Sequence, residues 1–214
     1  MIKKIKASLS EKILFIFLIS LGILTFSFFF IIKNKCIFVE KVDPEKIQFS
    51  NPENIAIMNV ECGNVIIELY PDLSPSAVKR FKYLIQKRAY NKSVFYKVIK
   101  DILIQAGDLE YGNNNNINYF KIGSGKSGLG TLKSELSDEF EFDEGSVALA
   151  REDELNTEDS EFFIILKKIH LYNGEYTPVG KVIYGLDALK KIKSGNKSQY
   201  VLRPDFIYSF KLLN

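Results

Sequence analysis

The chain has 214 residues, 46% of them hydrophobic and 26% charged, with a formal net charge of +3. That balance is globular and excludes an intrinsically disordered chain. The charge is unevenly placed. Residues 1–52 carry eight lysines against four acids, and the rest carries 21 basic and 22 acidic groups. The main body therefore has no basic footprint for nucleic acid, and no nucleic-acid partner is expected.

Residues 1–12 form a basic tail with Lys3, Lys4, Lys6 and Lys12. Residues 13–32, ILFIFLISLGILTFSFFFII, carry no charge and are mostly apolar. As a helix they would be about 30 Å long, enough to cross a bilayer's hydrocarbon core. Lys33 and Lys35 follow, and the excess of lysine before the span favours an N-terminus inside and a C-terminal domain outside the cytoplasm. A cleavable signal peptide is the rival reading. It would usually have a shorter apolar core ending in small residues, whereas Phe28-Phe29-Phe30-Ile31-Ile32 runs straight into Lys33. An uncleaved, single-pass anchor is the expectation. Lys35 before Cys36 fits a lipidation site poorly. The two cysteines, Cys36 and Cys62, could pair, but unpaired thiols are expected; with one histidine beside them, no metal site is expected.

Residues 33–52 contain Asp43-Pro44 and Asn51-Pro52, lack a sustained period and read as a linker to a domain at 53–214. IAIMNV (55–60) and NVIIEL (64–69) predict a hairpin around Cys62-Gly63. Ser74-Pro75 predicts a helix start, with serine as the cap and proline at the first helical position. Ala77, Val78, Phe81, Leu84 and Ile85 then recur at helical spacing. Residues 112–130, with Asn113 to Asn116 and five glycines, read as a long irregular excursion. Further strands are predicted at 146–150, 162–166, 179–184 and 206–212, with a short second helix over 187–192. About eight short strands and two helices suit a closed antiparallel barrel, but strand counting does not separate it from a sandwich.

Three local patterns are set aside. Gly123-Ser124-Gly125-Lys126-Ser127 imitates a phosphate-binding loop, but Phe120 stands where the earlier glycine is required. The acidic clusters at 135–144 and 152–161 lack EF-hand spacing and read as a solvated rim. His170 reads as a surface histidine.

The richest stretch is VFYKVIKDILIQAGD, residues 94–108. Val94-Phe95 and Ile102-Leu103-Ile104 flank the cation Lys97, with Lys100 nearer the turn, and are followed by the amide of Gln105 and by Gly107. Apolar side chains with a few polar donors among them are what a small-ligand site needs. The order resembles the cyclophilin signature F-H-R-V-I followed by Q-G-G-D. Three more blocks share the resemblance: NVIIELYPDLSPSAVKRF (64–81); Gly145 and Val147 to Ala150 followed by Ser160-Glu161-Phe162-Phe163-Ile164; and Tyr176-Thr177-Pro178-Val179-Gly180-Lys181-Val182 followed by Gly185-Leu186-Asp187. The resemblance covers about residues 54–212, and the chain is identified as similar to cyclophilin-type peptidyl-prolyl isomerases.

That resemblance implies a mainly β fold, a closed eight-stranded antiparallel barrel capped by two helices. It implies a monomeric domain without cofactor that acts on proline-containing segments of client proteins. The position of the family's catalytic arginine is Lys97, with Gln105 and Glu161 as polar neighbours. The proline pocket falls on Ile102, Leu103, Phe163 and Tyr172, beside Phe95. Ala150 and Arg151 fall on the groove edge that pairs with the substrate backbone. Leu171 stands where many members have tryptophan, and Tyr176 where many have histidine. Two departures bear on activity. Lysine lacks arginine's planar fork, and Glu161 replaces a neutral glutamine. Weak isomerase activity, or proline-peptide binding with little turnover, is the expected consequence.

Overall fold

Eight short antiparallel strands form one sheet in the order β10-β1-β2-β9-β7-β8-β4-β3. They are β1 (Ile55–Val60), β2 (Gly63–Leu69), β3 (Lys97–Ile99), β4 (Leu103–Ala106), β7 (Ser146–Leu149), β8 (Phe162–Ile165), β9 (Pro178–Tyr184) and β10 (Ser209–Leu212). A separate two-stranded piece pairs β5 (Gly112–Asn113) with β6 (Asn116–Ile117). The structure is a computed structural model and describes residues 8–195 and 200–213; Lys3, Lys4 and Lys6 lie outside the described residues.

The chain divides into two compact units, one ending at Phe38 and one beginning at Val39. The first holds α1 (Leu9–Lys33). Its start is a capping box: Glu11 N donates to Ser8 Oγ (3.3 Å), and Ser8 N donates to Glu11 Oε2 (2.6 Å). Residues Leu9–Ile31 are long and apolar enough to cross a membrane, a test that a signal sequence also passes.

In the second unit, part of the stretch expected as a linker is folded against the sheet. Val42, Ile47 and Phe49 pack on Ile55, Ile57 and Ile66. The predicted hairpin is present, with Val60 opposite Gly63. Neither cysteine is a free thiol, contrary to expectation: Cys36 and Cys62 are both disulfide-bonded.

The helix α2 (Pro75–Gln86) buries Ala77, Val78, Phe81, Leu84 and Ile85, as its periodicity requires. Phe81 meets Tyr90, Phe162 and Phe210 at ring-centroid distances of 5.3, 5.2 and 5.7 Å, an aromatic core behind the sheet. The expected serine cap is not made. Ser74 is fully buried, and its hydroxyl donates to the Pro178 carbonyl instead. Glu135, far along the chain, accepts from Ser76 N (3.1 Å) and Ala77 N (2.9 Å), placing a carboxylate at the positive end of the helix. The second expected helix is a single turn, α3 (Leu186–Leu189).

The sheet curls, but its ladder does not close as expected. β3 and β10 are its outer strands, and across the seam lie the isolated bridges Val94–Phe206 and Lys97–Tyr200. Single bonds from Phe95 N to Asp205 O and from Ile207 N to Ser93 O (both 2.9 Å) assist them. Pro204 sits in this seam and has no N–H to give, which interrupts a regular ladder there.

Asp108, 1% exposed, organises the excursion after β4. Its carboxylate accepts from the backbone of Glu110 (3.1 Å), Tyr111 (2.7 Å), Gly123 (2.7 Å) and Gly125 (3.2 Å). A side chain on Gly125 would overlap Asp108 Oδ1, so the approach requires glycine. Asp108→Asn turns an NH2 group toward two of these donors. Denaturant unfolding should show a loss of about 2–4 kcal/mol; a change below about 0.5 kcal/mol would contradict the role given to this carboxylate.

Candidate active site

Antiparallel partners on neighbouring strands point to the same side of a sheet. Lys97 on β3 is opposite Gln105 on β4, Gln105 is opposite Phe163 on β8, and Phe163 is opposite Ala148 on β7. One row thus carries a cation, an amide and an aromatic ring. The turn between β3 and β4 fixes it: Ile102 N bonds Ile99 O at 3.0 Å, with Asp101 in the left-handed region at φ 58°. Beyond β4, Gly107 has φ 96° and passes so close to residue 160 that an added Cβ would lie 2.5 Å from Ser160 O. That approach sets Glu161 beside Gln105.

The polar half of the site is a cleft of about 190 Å³, lined among others by Tyr96, Lys97, Gln105, Ala150, Arg151 and Glu161. Three side chains form a closed triangle in it. The Tyr96 hydroxyl donates to Glu161 Oε2, and Gln105 Nε2 donates both to the Tyr96 oxygen (2.5 Å) and to Glu161 Oε2 (2.8 Å). Burial raises the Glu161 pKa above its ordinary 4.5; the bonds from Tyr96 and Gln105 pull it back, Asp108 adds to the rise, and Lys126 opposes it. Burial and then the neighbouring Glu161 raise the Tyr96 phenol, which stays protonated and able to donate. Among the described residues, no ion pair joins Lys97 to Glu161 and no side-chain hydrogen bond holds the Lys97 ammonium.

Arg151 is committed to the protein. Its Nε donates to Glu175 O (3.1 Å), its Nη1 to Glu152 O (3.0 Å) and Asp153 O (2.8 Å), and its guanidinium lies 5.1 Å from the Tyr176 ring centre. Tyr176 in turn meets Phe163 edge-on at 5.0 Å, and Tyr172 meets Tyr176 at 4.8 Å. Ala150 N bonds Glu161 O at 2.8 Å, tying the groove edge to the triangle. The apolar half is shallow: Leu103 and Phe163 are 4% and 3% exposed under Tyr172 and Tyr176, while Ile102 is 38% exposed.

Of the expected site residues, Lys97, Gln105, Ala150, Arg151 and Glu161 share the cleft, and Leu103, Phe163, Tyr172 and Tyr176 share the adjoining apolar cluster. Phe95 is 0% exposed, and Leu171 is 85% exposed and outside the cleft lining. Tyr96 lies within the signature, but the residue pattern alone assigns it no role. Its signal was a departure from the family pattern, tyrosine in place of histidine, next to the departure at Lys97.

The sequence model of the family described as "Cyclophilin type peptidyl-prolyl cis-trans isomerase/CLD" matches residues 55–212. A protein of Brucella suis named probable peptidyl-prolyl cis-trans isomerase is 38% identical over 161 residues, covering 74% of this chain and 82% of its own length. A cyclophilin-type isomerase of Cryptosporidium parvum, solved in the presence of the dipeptide Ala-Pro, superposes with TM-score 0.64 at 26% identity, over 75% of this chain and 99% of its own. A cyclophilin of Hirschia baltica matches the fold at 19% identity with TM-score 0.64, over 81% of each chain. The chain belongs to the cyclophilin-type peptidyl-prolyl cis-trans isomerases, a family of enzymes.

The raised Glu161 pKa has a stability consequence. The folded chain keeps this proton to a higher pH than the unfolded chain does. The stabilisation from that proton is complete below the ordinary value of 4.5 and is lost as pH rises through the folded value. Glu161→Gln removes the dependence, so the variant should gain stability relative to the parent between about pH 4 and pH 7 in denaturant unfolding. A stability difference that stays constant over this range would contradict the raised value.

Proposed function

We propose that this chain is a membrane-tethered folding factor that rotates X-Pro bonds in client proteins, with Lys97 as the catalytic donor. The observation that carries the reading is the row Lys97–Gln105–Phe163 across three adjacent strands. Rotation about an X-Pro amide faces a barrier of about 18–20 kcal/mol because the bond has partial double-bond character. At the perpendicular geometry the amide resonance is lost and the nitrogen becomes more basic. A donor aimed at that nitrogen, or at the turning carbonyl, bonds more strongly there than in the planar ground state, and only such differential binding accelerates the step. The Phe163 ring with Leu103, Tyr172 and Tyr176 receives the pyrrolidine, Ile102 flanks it, and the Gln105 amide oxygen is left to accept from a substrate N–H. The edge at Ala150 and Arg151 aligns the substrate backbone. The rotation needs no nucleophile, metal or cofactor.

A second reading, a proline-peptide-binding module with little turnover, is favoured by the state of Lys97. A lysine ammonium is a point donor on a flexible stem, and here nothing fixes it among the described residues. The two readings separate on one peptide series with the full chain in detergent. Lys97→Ala should lower kcat/KM on a short X-Pro peptide at least about tenfold, and Lys97→Arg should raise it severalfold. Turnover that survives Lys97→Ala unchanged removes Lys97 from catalysis, and binding without turnover in the parent chain supports the second reading.

The tether is α1, whose apolar side chains from Leu14 to Phe30 are exposed and require a non-aqueous surrounding. The disulfide-bonded state of Cys36 and Cys62 supports a domain facing an oxidising compartment outside the cytoplasm. Thiol titration of the full-length protein, isolated from membranes and denatured without reductant, should find no free thiol; two free thiols would argue for a reducing compartment.

A further inference from the structure

We infer that Tyr96 is a positioning residue that keeps the Glu161 carboxylate off Lys97, so that the ammonium remains available to the substrate. The inference rests on the reading of Lys97 as the donor. Three observations carry it.

First, Lys97 and Glu161 line one cleft, and Gln105, the cross-strand partner of Lys97, is bonded to Glu161. Opposite charges that share a cleft attract. Yet they are not paired among the described residues. Second, the Glu161 carboxylate is held in place through one oxygen. Oε2 accepts from both the Tyr96 hydroxyl and Gln105 Nε2. Third, Tyr96 is anchored well enough to hold it. The ring is 2% exposed and stacks on Tyr200 at 6.2 Å and 20°. Gly123 backs it so closely that an added Cβ would sit 3.1 Å from the ring. A buried phenol that stays protonated is a permanent donor.

Other charged groups near Glu161 do not substitute for this restraint. Lys126, from the excursion after β4, attracts the carboxylate but is paired with Glu152 at 2.6 Å. Asp108, beyond β4, repels it. On its own side, Asp159 is held by Arg80 at 2.8 Å and Arg151 by Glu175. Of the cations lining the cleft, Lys97 is the one without a charged partner among the described residues.

The test is a double-mutant cycle of Tyr96→Phe and Glu161→Gln in the full chain, read in two independent ways. The first readout is kcat/KM in an uncoupled assay on an X-Pro peptide. Tyr96→Phe should lower it about tenfold with Glu161 present and by less than about twofold in the Glu161→Gln background, where no carboxylate can trap the lysine. In Tyr96→Phe alone, activity should recover as pH falls through the Glu161 pKa, because protonation releases Lys97. The second readout needs no turnover. The rate of trace acetylation of Lys97, followed by mass spectrometry, should fall about tenfold in Tyr96→Phe and return in the double variant. Equal losses in both backgrounds, an unchanged Tyr96→Phe enzyme, or Lys97 labelling indifferent to Tyr96 would each overturn the inference. If the parent chain proves inactive, the isomerase reading fails alone, and the labelling cycle still decides whether Tyr96 restrains Glu161.

Discussion

Gln105 lies opposite Lys97 on one side and Phe163 on the other, and the site depends on that double register. Side chains alternate along a strand, so a slip of one residue in either ladder would turn the amide or the ring into the opposite face. The opposite face is already full. Val98, Ile104, Ala106, Phe162 and Ile164 are buried there, and Phe162 meets the rings of Phe81, Tyr90 and Phe210. Packing behind the sheet therefore fixes the alignment in front of it. The tight turn at Asp101 and the close pass at Gly107 set the two ends of β4.

Much of this was legible from residue order. The apolar period of α2 gave its buried face, and the runs at 55–60, 64–69, 146–149 and 162–165 became strands within a residue or two of their expected limits. What was not legible depends on partners distant in the chain. Ser74 looked like a helix cap because capping is a local pattern, but the carbonyl it serves and the carboxylate that replaces it lie far away in sequence. The seam between β3 and β10 stays irregular for a similar reason: its strength comes from a few single bonds around Pro204, and no periodicity marks them. The folded stretch from Val42 to Phe49 shows only three apolar anchors among polar neighbours, too sparse to separate from a linker.

The site divides along the same line. Signature blocks place Lys97, Gln105 and Phe163 in one row, because strand register carries them there. They do not say where a flexible carboxylate will turn. Glu161 departs from the family pattern and so does Tyr96, and the two departures are bonded to each other. Read one at a time, each looks like a loss. Read as a pair, a glutamate able to capture the lysine stands beside the hydroxyl that occupies it. The cleft satisfies this buried acid with neutral donors, which costs less than leaving it bare.

Asp108 has a consequence of another kind. It holds the excursion after β4 through four backbone amides and none of the excursion's side chains. Between those anchor points the side chains are less constrained, apart from the glycines where Gly112 passes the Asp108 backbone, Gly123 meets Tyr96 and Gly125 meets the carboxylate. Such a segment can drift in composition, and even lengthen at its asparagine-rich tip, without disturbing the cleft it borders. Relatives that share the central sheet would then diverge most here, and the rim of the cleft would vary in shape while the strand row behind it is kept.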